Sequence, residues 1–263
     1  MKFAFKSLVT VAAFVAVGAA QAAPVWEVEA GSGTLIFSAA GLNALSSSGS
    51  NVIAPAKIPA ILPGAGTANA AAYTKASGTV ALTFDDAVVD GNKLNSLSAG
   101  NSLVNIRRSI LDENDVITAQ YNVYLANFNV NLSNSTIYAD FYSDTGAGSQ
   151  LKSFGNLAIF TATQPGVVGG TQGLIVEDTP TTGHASGSLN GELKFNNDTA
   201  TLVLTSLGLE TTGDIANLVR TANWGATSAT GTFTRAVPEP STYALLIAGL
   251  ATAGAIARRR KSA

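Results

Sequence analysis

The chain has no cysteine in 263 residues. A disulfide scaffold, a thiolate zinc site and a cysteine nucleophile are therefore excluded. Histidine occurs once, as His184, so a zinc centre would have to be built mostly from carboxylates, which is uncommon. Charged residues make up only 12% of the chain, and the cations outside the two ends are scattered. Nucleic-acid binding thus has no electrostatic footing. No GxSxG elbow is present, and Ser186 is too close in sequence to His184 to complete a serine triad.

What is present begins at the ends. Lys2 and Lys6 open the chain, Leu8 to Ala20 is almost wholly apolar, and Ala20-Gln21-Ala22 follows. This pattern predicts a secretory signal peptide over residues 1–22, cut by signal peptidase between Ala22 and Ala23. At the other end Thr242 to Ala257 is a 16-residue stretch without charge. As a helix it would be roughly 24 Å long, against a hydrocarbon core of about 30 Å. Arg258, Arg259, Arg260 and Lys261 follow at once and can snorkel. The expectation is a separate C-terminal transmembrane helix, its basic tip cytoplasmic and the body across the inner membrane.

Just before that helix stand Pro238, Glu239 and Pro240. Each proline fixes its own φ and disfavours helix in the residue before it, so the motif is held extended. Triplet, apolar span and basic cluster, in this order behind a signal peptide, resemble the PEP-CTERM sorting tail of bacteria, here residues 236–263. The resemblance implies recognition of Pro238–Pro240 by exosortase, a membrane transpeptidase-like enzyme. It further implies retention by Arg258, Arg259 and Arg260, cleavage near the motif, and a Gram-negative producer of exopolysaccharide, biofilm or floc matrix.

Setting both ends aside leaves nine cations and sixteen acids, so the body carries a net charge near −7. That favours solubility and could attract divalent cations. About 215 residues rich in Gly, Ala, Ser, Thr and Asn can bury a core without staples. Period-2 alternation recurs at Trp26 and Val28, at Leu35 and Phe37, and at Val80, Leu82 and Phe84. The longest such run, Val116 to Leu132, slips phase between Leu125 and Phe128, which predicts a bulge or tight turn. Ile137 to Tyr142 and Leu157 to Ala162 add strands. Asp90-Gly91 and Asn190-Gly191 predict hairpins. In the second, Leu193 and Phe195 are expected to pair with a returning strand at Leu202 and Leu204, after a turn at Asn196 to Thr199. Val52 to Ala72 reads as a long loop. Ile215, Leu218, Val219 and Ala222 have helical spacing, with Gly213-Asp214 as a start.

The expected fold is all-β, an antiparallel β-sandwich or related twisted β domain over residues 23–235. The order GTLIFSAAGLNALSSSG, a Pro-rich loop, SGTVALTF and a β-rich segment is similar to HtaA, a surface domain of haem uptake, although no ligand motif accompanies it.

Candidate sites in the body are few. His184 is expected in an exposed loop. Asp112, Glu113 and Asp115 offer oxygens on a turn, as calcium prefers, but without the EF-hand pattern. A glycan face would use tyrosines: Tyr138 and Tyr142 can share one, whereas Tyr121 and Tyr124, at odd spacing, cannot. Packing in the core or across strands is the favoured account of them. The function expected is that of a non-enzymatic exported surface or matrix protein without cofactor, partnered by signal peptidase, exosortase and exopolysaccharide. The alternative is a surface module that binds haem, calcium or glycan.

Overall fold

A computed structural model describes residues 26–53, 73–144, 150–162, 173–189, 192–235 and 249–250. The signal peptide, most of the Val52–Ala72 loop, the Asn190-Gly191 turn and all of the sorting tail except Gly249 and Leu250 lie outside the described residues. Among the described residues no helix is long and apolar enough to cross a membrane.

The body is two antiparallel sheets packed around one core, as the alternation requires. In chain order the strands are β1 (Trp26–Phe37), β2 (Ser50–Ile53), β3 (Tyr73–Thr74), β4 (Thr79–Phe84), β5 (Asp86–Asp90), β6 (Lys93–Leu111), β7 (Ile117–Asn131), β8 (Thr136–Asp144), β9 (Lys152–Ala162), β10 (Val176–Thr179), β11 (Thr182–Leu189), β12 (Leu193–Phe195) and β13 (Gly225–Arg235). One sheet has the order β10-β11-β13-β1-β4-β3. The other runs β12-β9-β8-β7-β6-β2, with β5 also on β6. Leu35, Phe84, Phe128, Phe141, Phe160 and Phe233 meet between them, each at most 2% exposed.

The phase slips resolve as bulges. Trp26 and Val28 belong to the same strand as Leu35 and Phe37, with the register shifting between Val28 and Ala30. The slip in β7 falls between Ala126 and Asn129 against β8, with Asn127 at a left-handed φ of 53°. The Asp90-Gly91 hairpin forms, with Asp90 opposite Lys93. The longest strand is β6, not β7. Its Gly100-Asn101-Ser102 bulge, where the register jumps from Ala99 to Leu103, hides its periodicity.

Among the described residues three helices join the strands of the body, where one was expected. Helix α1 (Ala39–Ser47) is capped by Ser38, whose side chain accepts from Gly41 N, and it lays Gly41 against Trp224. The predicted returning strand at Leu202 and Leu204 is instead α2 (Asn197–Ser206). Asn196 caps it through the N–H groups of Asp198 and Thr199. Ala200, Val203, Leu204 and Leu207, at helical spacing, are all at most 1% exposed. Alternation of Leu202 and Leu204 mimics a strand, but helical burial of four residues outweighs it. Helix α3 (Asp214–Thr221) lies where expected but is rotated: Ala216 and Val219 are buried, while Ile215 and Leu218 are largely exposed.

These elements give the sandwich two distinct ends. The helices cluster at one end, where Ser38 N donates to Trp224 O and Trp224 packs edge-on to Phe195 and tilted against Phe160. The opposite end holds the start of β1, the end of β13 and the β5–β6 turn, joined by Trp26 Nε1 donating to Asn92 Oδ1 at 3.0 Å.

Candidate functional site

The outer face of the β6-β7-β8-β9 sheet carries the densest polar array in the body. Strand alternation turns Val104, Ile106, Val123 and Leu125 inward, so Asn105, Arg107, Asn122 and Tyr124 face out. Register then sets Arg107, Asn122 and Asp144 in one row, and Asn105, Tyr124, Tyr142 and Ser153 in the next. Arg107 Nε donates to Asn122 Oδ1 at 2.9 Å, and Asn122 Nδ2 to Asp144 Oδ1 at 2.8 Å. The Tyr124 hydroxyl donates to Asp144 Oδ2 at 3.0 Å. Across the β7 bulge, Asp140 accepts from Asn127 Nδ2 at 2.8 Å and from Asn156 Nδ2 at 3.0 Å.

On the same face as this network, Leu103, Tyr124, Ala126 and Tyr142 form a small buried cluster with Leu151, separate from the main core. Burial, reinforced by the Asp144 hydrogen bond, holds the Tyr124 phenol well above its ordinary pKa. Burial and the Asp140 charge raise that of Tyr142. Among the described residues, Asn105 Oδ1 and Asn127 Oδ1 are buried acceptors that meet no hydrogen-bond donor. The tyrosine reading thus divides: Tyr142 joins Tyr124 on the outer face, Tyr138 lies on the same side of β8, and Tyr121 packs against the main core.

His184 lies on β11 rather than in a loop. Its Nδ1 is 2.7 Å from Asp178 Oδ1, and both side chains are about half exposed. The ring borders an open groove of about 390 Å³ floored by Gly31, Ser32, Ser186, Thr230 and Thr232. Small residues on three neighbouring strands leave that face flat and shallow.

The acidic turn between β6 and β7 turns its chemistry inward. Asp112 Oδ1 accepts from Asn114 N at 2.8 Å and Val116 N at 2.9 Å, and Asp115 takes a left-handed φ of 58°. Among the described residues no three acids or histidines converge to hold a metal ion.

At the end of the sandwich opposite the helices, Arg235 closes β13. It pairs with Trp26 across the ladder, its guanidinium lies 4.7 Å from that ring's centroid, and it forms an ion pair with Glu177. The Arg235 N–H also donates to Thr181 O at 2.8 Å. Residue 236 follows this fourfold attachment directly.

A β-rich body with a short C-terminal tail of this pattern defines an exported protein whose tail is an address. Residues 236–261 match the family described as PEP-CTERM protein-sorting motif. The motif marks the chain as a secreted, exosortase-processed protein with a final place at the cell surface or outside it. Among curated proteins none matches the chain. Among solved structures, the C-terminal domain of HtaA from Corynebacterium glutamicum is 12% identical with a TM-score of 0.39, covering 80% of this chain and 99% of its own. The heme binding protein HtaB of the same organism is 11% identical with a TM-score of 0.34, covering 81% of this chain and 96% of its own. The likeness is weak, and it transfers neither ligand nor site.

Proposed function

We propose that the protein is a non-enzymatic surface or extracellular-matrix protein of a Gram-negative bacterium, delivered by exosortase and held in exopolysaccharide or biofilm matrix. The observation that carries this reading is the sorting motif at 236–261. A signal peptide over residues 1–22, cut between Ala22 and Ala23, supplies the export step. Pro238, Glu239 and Pro240 are the recognition triplet, and Arg258, Arg259, Arg260 and Lys261 hold the tail at the membrane until it is cut. The acidic body, near −7, suits a hydrated matrix.

Intact mass of the protein from envelope and medium tests the delivery. A species running from Ala23 to about Pro240, with or without an added group, is expected; one ending at Ala263 would make the tail a plain anchor. Co-sedimentation with purified exopolysaccharide tests the destination, and a protein that stays in the supernatant would remove it.

A second reading, a ligand-binding module, is favoured by the outer face around Tyr124. Its amide, carboxylate and guanidinium groups are the chemistry that holds sugar hydroxyls, whereas Tyr124 and Tyr142 are buried and offer no stacking face. Haem and calcium remain the other ligands of this reading. Haemin titration without a Soret band removes haem, and a thermal midpoint indifferent to calcium and chelator removes calcium.

A further inference from the structure

The body stops and the sorting motif starts at adjacent residues. Arg235 is the last residue of β13 and Ala236 the first of the matched motif. β13 is not an edge strand. It lies between β1 and β11, with Trp26 opposite Arg235 on one side and Thr182 opposite Thr234 on the other. Freeing its end would break two ladders, the Thr181 hydrogen bond, the Glu177 ion pair and the contact with Trp26. Trp26 is itself fixed, 4% exposed and bonded to Asn92.

Pro238 is the third residue after Arg235 and Thr242 the seventh. Even fully extended these stretches span at most about 11 Å and about 25 Å. An enzyme acting at the motif must therefore work against the end of the folded sandwich.

We propose that Arg235 is a positioning residue for tail processing: clamped by Trp26, Glu177 and Thr181, it ends the fold at a fixed point and offers Pro238–Pro240 to the membrane peptidase in one register. This rests on the sorting reading above. The Trp26–Arg235 end of the sandwich then faces the enzyme, and the helical end faces away from the membrane.

The test uses the full chain in the producing cell, with precursor loss followed by pulse-chase and the new C-terminus read by mass. One variant carries an eight-residue Gly-Ser spacer between Arg235 and Ala236; the others are Arg235→Ala and Arg235→Lys. The spacer leaves every body contact intact, so the thermal midpoint of its purified body should equal wild type. Misplacing a scissile bond is costly, and about tenfold slower processing with several cut positions is expected for the spacer. Arg235→Ala should give mixed cuts, and Arg235→Lys, which keeps the Glu177 pair, should restore the single cut. A spacer variant cut at the wild-type rate and position would overturn the proposal while leaving sorting intact. Wild-type cleavage that persists in a strain lacking exosortase would overturn the sorting reading, and the proposal with it.

Discussion

Tyr124 and Asn122 hold the two oxygens of Asp144 between them, at 3.0 Å and 2.8 Å, on the outer face of a sheet. The phenol is buried and donates to a carboxylate, so its ionisation is pushed upward. The unfolded chain loses the same proton near pH 10. A folded pKa above the unfolded one gives stability that is complete below about pH 10 and is lost as pH climbs toward the folded value. The slope is up to about 1.4 kcal/mol per pH unit for each such group, and Tyr73 and Tyr142 are shifted in the same direction. Denaturant titrations from pH 8 to 11.5 should show constant stability and then a steep fall. Tyr124→Phe should flatten the fall while costing about 1.5–3 kcal/mol at pH 8. An unchanged slope would separate Tyr124 from the alkaline transition.

Gly225 opens β13 at φ 133°, and a Cβ there would lie 1.8 Å from Ile36 O. Backbone cannot yield as a flexible side chain can, so Gly225→Ala should cost more than about 4 kcal/mol and leave little soluble protein. Gly49, at φ 73° with open space around it, is the control. Gly49→Ala meets only the left-handed penalty of about 1–2 kcal/mol. Equal losses in thermal midpoint would contradict this account.

Arg108 reaches across the fold to donate to Leu207 O at 3.0 Å, the C-cap carbonyl of α2, and to Gly208 O, the next one, at 2.9 Å. Arg108→Met should cost about 1–3 kcal/mol in urea unfolding. Lysine at this position should recover part of the loss, since it keeps the charge at the helix end. A neutral Arg108→Met would mean the helix holds without its cap.

Asp112 spends one carboxylate oxygen on two backbone N–H groups of its own turn. Asp112→Ala should lower stability by about 1 kcal/mol, equally in calcium and in chelator. A wild-type midpoint that rises with calcium, in a manner lost in Asp112→Ala, would instead assign the turn a cation.

The sequence showed the sandwich through alternation wherever strands are half-buried, as at Thr79–Phe84 and Ile137–Tyr142. It failed where a bulge interrupts the period: β6 changes phase at Gly100–Ser102, so a 19-residue strand reads as fragments. Helix α2 was missed because three threonines and a Leu202–Leu204 alternation look like strand, and the Asn196 cap with its four buried apolar residues was the countersignal. The tail was legible because its order of residue types is itself the message. The array around Asp144 was not, because it assembles residues from strands as far apart in sequence as Arg107 and Asp144, and only register brings them together.

The placement of the first and last strands side by side has a consequence in time. Thr34 and Ser228 face each other across 194 residues, and β1 has no partner on that flank until β13 arrives. At 5–20 residues per second, a chain crossing the membrane as it is made leaves that edge bare for roughly ten to forty seconds. An unpaired edge invites pairing with any other chain nearby. Secretion of this protein is therefore a race between its own C-terminus and its neighbours, and a chaperone that covers extended chain beyond the membrane would decide how many copies finish.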